Sequence, residues 1–202
     1  AKVKSHLCKI ASALVSGLLL LDAGETLHIF NVKFDLTRFN KIILKRAIFA
    51  TLRVFAMSEP ELLLPHTPSF CVYLKGDSEE EAQDNNEIIS NAALILTELI
   101  PAWQTCDTNN CTELEVDLQN IMYRCPPYVC KCAAKCWKAL HASGKVSPNR
   151  IEQTASAFYN ALWQYRLCEN MQGVSIQHQG SVYRSLSNLG LLCQTFDFDN
   201  PD

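Results

Sequence analysis

Residues 181–199, SVYRSLSNLGLLCQTFDFD, decide between a self-closed globule and an open helical array. Val182, Leu186, Leu189 and Leu192 recur at spacings of four, three and three, the mark of one apolar stripe on an α-helix. Cys193, Phe196 and Phe198 then alternate with Gln194, Asp197 and Asp199, where a closed domain would stop or turn polar. The expectation is an open edge, with Phe196 and Phe198 exposed where a further repeat would stack, and poor solubility for an isolated fragment.

The helical reading extends along the chain. Residues 3–21 form one candidate helix, with Leu7, Ile10, Leu14 and Leu18 at helical spacing. This run, KVKSHLCKIASALVSGLLLLDAG, has the look of a signal peptide, yet Lys9 interrupts it. It reads as a buried amphipathic helix, too short and too interrupted to span a bilayer. DAGETLHIFNVKFDLTRF fits a strand or a helix almost equally. In residues 40–57, Ile43, Ala47, Ala50 and Val54 share a side that Leu44, Ile48 and Phe55 widen, so that helix should meet more than one neighbour. Pro60, Pro65 and Pro68 break the next stretch into short helical pieces. NNEIISNAALILTELI carries Ile88, Ala92, Ile95 and Leu99. Thr112 and Glu115 stand at capping-box spacing. A helix over 126–143 starts on prolines, and another follows Ser147 and Pro148 with Ile151, Ala155, Phe158, Leu162 and Tyr165 as its stripe. Helix pairs thus recur every 35–45 residues or so, the period of HEAT-type repeats. The fold class expected is all-α, a HEAT-type solenoid of antiparallel helix pairs.

Charge divides the chain. The net charge is −3. Residues 1–57 hold nine Lys or Arg against three Asp or Glu, residues 58–122 one against thirteen, and residues 123–202 eight against five. A basic N-terminal segment, 1–57, therefore precedes a segment 58–202 that contains an acidic loop at 77–87. Separate charge blocks favour local electrostatic partners.

Ten cysteines permit five disulfides, and Asn110-Cys111-Thr112 is a sequon. At about 5% of residues the cysteines fall below the density of a disulfide scaffold. Several sit on apolar stripes as small hydrophobes, so buried thiols are expected. Cys130, Cys132 and Cys136 do not make a zinc site on a helix. Cys130 points about 160° away from Cys132, so the three cannot converge on one tetrahedral ion. The five histidines form no nucleophile signature, and neither a phosphate-cradling Gly-rich loop nor a paired-carboxylate motif is present. No catalytic residue, metal or cofactor is expected, and Trp103, Trp137 and Trp163 read as core.

The residues that suit binding are basic. On helix 126–143 Val129, Cys132, Cys136 and Leu140 share one side, and Lys131, Lys135 and Lys138 lie opposite within about 60° of one another. Such a row suits phosphate, each neutralised phosphate adding salt-dependent affinity. Lys41, Lys45, Arg46 and Arg53 form a second candidate cluster bordering an apolar stripe, where packing stems with solvated heads would serve as well. Any contact would be to backbone, since no helix-turn-helix or finger signature is present.

Arg184, Ser185, Leu186, Gly190, Leu192, Cys193, Phe196, Asp197, Phe198 and Asp199 together resemble a segment of the Nipped-B-like cohesin loader family, large HEAT-repeat proteins. NNEIISNAALILTELIP, YVCKCAAKCWKAL, AFYNALWQYRL and, more faintly, PELLLPH are similar to helices upstream of it in that family. The resemblance covers about residues 58–202. It implies a nuclear, chromatin-associated scaffold without an active site. Such a protein helps load cohesin onto DNA and stimulates the ATPase of the ring. Its implied partners are the SMC and kleisin subunits, the DNA backbone, and a smaller helical-repeat protein bound outside this chain, with no membrane. Two other readings stand beside it. One is a secreted disulfide-bonded helical ligand or receptor module; the other is a generic helical-repeat adaptor.

Overall fold

The computed structural model describes residues 2–22, 27–29, 32–34, 38–75, 82–103, 108–147, 149–168 and 176–196. Among them are eight α-helices and one small hairpin: α1 (Lys2–Asp22), β1 (Leu27–Ile29), β2 (Val32–Phe34), α2 (Arg38–Ser58), α3 (Thr67–Val72), α4 (Ala82–Leu99), α5 (Thr108–Arg124), α6 (Pro127–Ala142), α7 (Asn149–Cys168) and α8 (Ile176–Thr195). The all-α class holds apart from the hairpin. It pairs antiparallel with Leu27 opposite Phe34, and takes the strand alternative the sequence left open. The chain falls into two compact units, Ala1–Thr105 and Cys106–Asp202.

In the first unit α2 packs on α1 and α4, and α3 on α4. The wide stripe of α2 does meet two neighbours, but its buried side is Ile48, Phe49, Leu52 and Ala56. Ile43 and Val54 are exposed, and so are Ala47 and Ala50, so the four-residue stripe read from sequence faces outward. On α1 the buried side is Ala11, Val15, Leu18 and Leu21, while Ile10 is exposed. Both corrections share a cause. These helices carry apolar residues around most of their circumference, and periodicity cannot choose which arc meets a neighbour. The α4 stripe, Ile88, Ala92, Ile95 and Leu99, is buried as expected. Pro60 and Pro65 lie in the short 3-10 turns Pro60–Leu62 and Leu64–His66, and Pro68 sits in the first turn of α3.

Val3–Asp22 is long and apolar enough to cross a membrane by length and composition, contrary to the sequence expectation. In this fold it is tied into the unit by polar contacts along its whole length. Lys4 Nζ lies 2.7 Å from Glu61 Oε2, Ser12 Oγ lies 3.2 Å from His66 Nε2, and Asp22 accepts from Tyr73 and pairs with Lys45. Asp22 ends a helix whose last turn has no basic residue, and a carboxylate there opposes the macrodipole. The Lys45 ammonium and Tyr73 hydroxyl offset that.

In the second unit α5 packs on α6, α6 on α8 and α7 on α8. Trp137 is fully buried at its centre, with Leu114, Leu118, Ile121, Val129 and Leu140. Trp103 is buried in the first unit, but Trp163 is 51% exposed, against its expected place in the core. Phe196 is also corrected. It is buried, with its ring edge-on to Trp137 and His141 at centroid distances of 6.3 and 6.1 Å. Phe198 lies outside the described residues. The exposed apolar side of α8 lies elsewhere, at Tyr183 and Leu186.

Candidate nucleic-acid interface

Helix α6 begins with Pro126 as its extended cap and Pro127 in the first turn. It ends where Gly144 takes φ 69°, a left-handed conformation that glycine adopts without strain. Between these stops lie Val129, Cys130, Ala133, Ala134, Cys136, Trp137 and Leu140, all buried. Cys132 is only half-buried. With that arc fixed inward, Tyr128, Lys131, Lys135 and Lys138 are fixed outward, and all four are exposed. Among the described residues none of the three lysines is held in an ion pair.

The second cluster is engaged differently. Lys45 pairs with Asp22, and Arg46 Nε lies 2.8 Å from Glu87 Oε2. Lys41 is half-buried and Arg53 exposed. The heads of Lys45 and Arg46 tie α2 to α1 and α4. Of the acidic loop, residues 77–81 lie outside the described residues, while Asp84 and Glu87 belong to α4.

Two polar networks brace α6, and neither is legible in the sequence. Glu115 on α5 is 5% exposed, and accepts from Trp137 Nε1 at 3.2 Å and Arg150 Nε at 3.1 Å. Arg150 also donates to Gln119 Oε1 at 3.1 Å, and Gln119 donates to Thr154 at 2.8 Å. Glu115 is thus no capping-box partner, because α5 starts at Thr108 and Thr112 lies inside it. The carboxylate is buried because a guanidinium and an indole N–H satisfy it there.

The second network closes the C-terminal end of α5, where backbone carbonyls lack intrahelical donors. Asn188, fully buried on α8, donates from Nδ2 to Met122 O at 2.6 Å, and Arg184 Nη1 donates to Tyr123 O at 3.3 Å. The Cys130 thiol faces the carbonyls of Cys125 and Ile121 at 3.4 and 3.5 Å. The Cys132 thiol instead faces Tyr128 O at 3.5 Å. Burial, and then the neighbouring Cys125, push the Cys130 thiol up to about 12. Among the described residues no group of His, Cys, Asp or Glu is placed to hold a metal ion. Seven described cysteines are free, and of these Cys125, Cys130 and Cys136 are buried thiols as expected, while Cys8 and Cys193 are exposed and Cys111 is disulfide-bonded, against that expectation.

No family model matches this chain, and no solved structure does. Over 159 residues the chain is 23% identical to Nipped-B-like protein B of Danio rerio, a match that covers 77% of this chain and 6% of that protein.

Proposed function

We propose that this chain is a HEAT-type scaffold segment of a cohesin-loading factor, and that it contacts DNA phosphates through the outward face of α6. The observation that carries the contact is the row Lys131, Lys135 and Lys138, exposed and without an ion pair among the described residues. The similarity to Nipped-B-like protein B supports the loader reading. In that reading the protein acts in the nucleus on chromatin, the cohesin ring supplies the ATP chemistry, and this segment has no active site of its own. Within each unit the packed helices supply the frame, and the lysines supply salt-sensitive attraction without base readout.

The test is binding of labelled duplex DNA at low and moderate salt, with cohesin ATPase stimulation recorded in the same samples. Lys131→Glu, Lys135→Glu and Lys138→Glu combined should weaken DNA binding. If only ATPase stimulation falls, the face meets the ring instead. If neither changes, the row is a solvated helix face and the reading fails.

The Cys111 disulfide favours a second reading, a secreted disulfide-bonded module. Seven free cysteines among the described residues weigh against it. Alkylation without reduction, followed by mass measurement, separates the two. Eight or more alkylated thiols remove the secreted module, and five disulfides remove the loader.

A further inference from the structure

The outward arc of α6 holds an aromatic ring as well as cations. Tyr128 is 54% exposed, and at 100° per residue it stands within about 80° of Lys131, Lys135 and Lys138. Rises of about 4.5, 6 and 4.5 Å separate the four along the axis. No acidic residue interrupts the arc from 128 to 142. More cations and exposed rings stand at its N-terminal end. Tyr123 and Arg124 close α5, and Arg184 reaches from α8 to the carbonyl of Tyr123 beside exposed Tyr183. Arg124 is the last residue of α5 and Arg184 is anchored on the neighbouring Tyr123 carbonyl, so both stand near the start of α6.

A row of lysines alone suits any polyanion. A row headed by an exposed ring suits a polyanion with flat faces to offer. In a duplex the base faces are stacked on one another, and a side chain lying along the backbone reaches only phosphate and sugar. In an unpaired strand the faces are open, and basic surfaces with aromatic platforms bind such strands with little regard to sequence.

Resting on the phosphate-contact reading above, we infer that the α6 face binds an unpaired stretch of DNA strand, with Lys131, Lys135 and Lys138 on successive phosphates and the Tyr128 ring stacked on a base. An RNA strand of the same sequence offers the same phosphates and open base faces, so it should compete about equally.

The experiment measures binding of the full chain to a fluorescent single-stranded DNA oligonucleotide, the matching duplex and the matching RNA, with circular dichroism to confirm folding. Wild type should prefer the single strand to the duplex. Tyr128→Ala should weaken single-strand binding by about 5- to 150-fold and leave duplex binding unchanged. Tyr128→Phe keeps the ring and should bind as wild type. If Tyr128→Ala binds the single strand as wild type does, the inference is overturned, while loss of duplex binding in the triple lysine variant would leave the phosphate reading standing. If wild type binds none of the three nucleic acids, both fall.

Discussion

Asn188 shows how one side chain turns a whole helix. Its Nδ2 is 2.6 Å from Met122 O, one of the carbonyls that the end of α5 leaves without a donor. Arg184, one turn earlier, serves the next carbonyl. Satisfying both turns the Arg184 and Asn188 side of α8 to the end of α5, and Leu186 is left 57% exposed. The pattern of Val182, Leu186, Leu189 and Leu192 could not show this, because hydrophobicity does not count unpaired carbonyls elsewhere in the fold. Asn188→Ala should cost about 1–3 kcal/mol, the penalty for a buried carbonyl left without its donor. A lower urea midpoint with an unchanged m-value is the expected reading. Cys130 belongs to the same corner and gives a pH signature. Its folded-state value of about 12 stands above its ordinary value of 9.0. The neutral thiol is therefore the form the fold favours. Its contribution is fully present below pH 9 and is lost as pH rises towards 12. Urea unfolding at pH 8 and pH 10 should show a smaller loss of stability in Cys130→Ala than in wild type. In native protein at pH 8, iodoacetamide should reach exposed Cys8 and Cys193 well before Cys130.

At the scale of the element, the helices divide into those whose faces the sequence reveals and those whose faces it hides. On α4 and α6 the apolar arc is bounded by polar residues, so burial follows the pattern except at half-buried Cys132, and the lysines of α6 stand outside as read. On α2, Ile43, Val54 and Met57 compete with Ile48, Phe49, Leu52 and Ala56, and only the packing of α1 and α4 decides between them. Phe49 settles the orientation, being fully buried with its ring edge-on to Tyr73 at 5.0 Å. Leu52→Ala should therefore cost about 2–5 kcal/mol, as for a large-to-small change in a packed core. Val54→Ala, on the side the sequence pattern favoured, should stay within about 0.5 kcal/mol. Chemical denaturation of the two variants checks the face directly, and equal losses would put the buried arc of α2 elsewhere. The helical candidates themselves were legible because their periodicity is long and their stops are proline and glycine. The networks around Glu115 and Asn188 were not, since each joins residues more than twenty positions apart through geometry that no local window contains.

At the scale of the molecule, a chain of net charge −3 is asked to bind a polyanion, and the distribution of its cations decides whether it can. The long-range field of this chain does not favour DNA, so affinity has to come from lysines within a Debye length of the phosphates, about 10 Å at 0.1 M salt. Cations already committed to internal pairs contribute less. Lys45 and Arg46 are held by Asp22 and Glu87, and releasing them would expose those carboxylates to the ligand. Lys131, Lys135 and Lys138 carry no such cost. If all three neutralise phosphates on a duplex, they account for about 2.7 of the slope of log K against log salt concentration, at 0.9 per contact. Replacing them together by Gln should flatten the slope by about that amount. Replacing Lys45 and Arg46 by Gln should change the slope little and instead lower the stability of the first unit. Fluorescence titrations of a duplex at several salt concentrations, with thermal melts of the same variants, read both quantities. A slope carried by Lys45 and Arg46 would move the interface from α6 to α2.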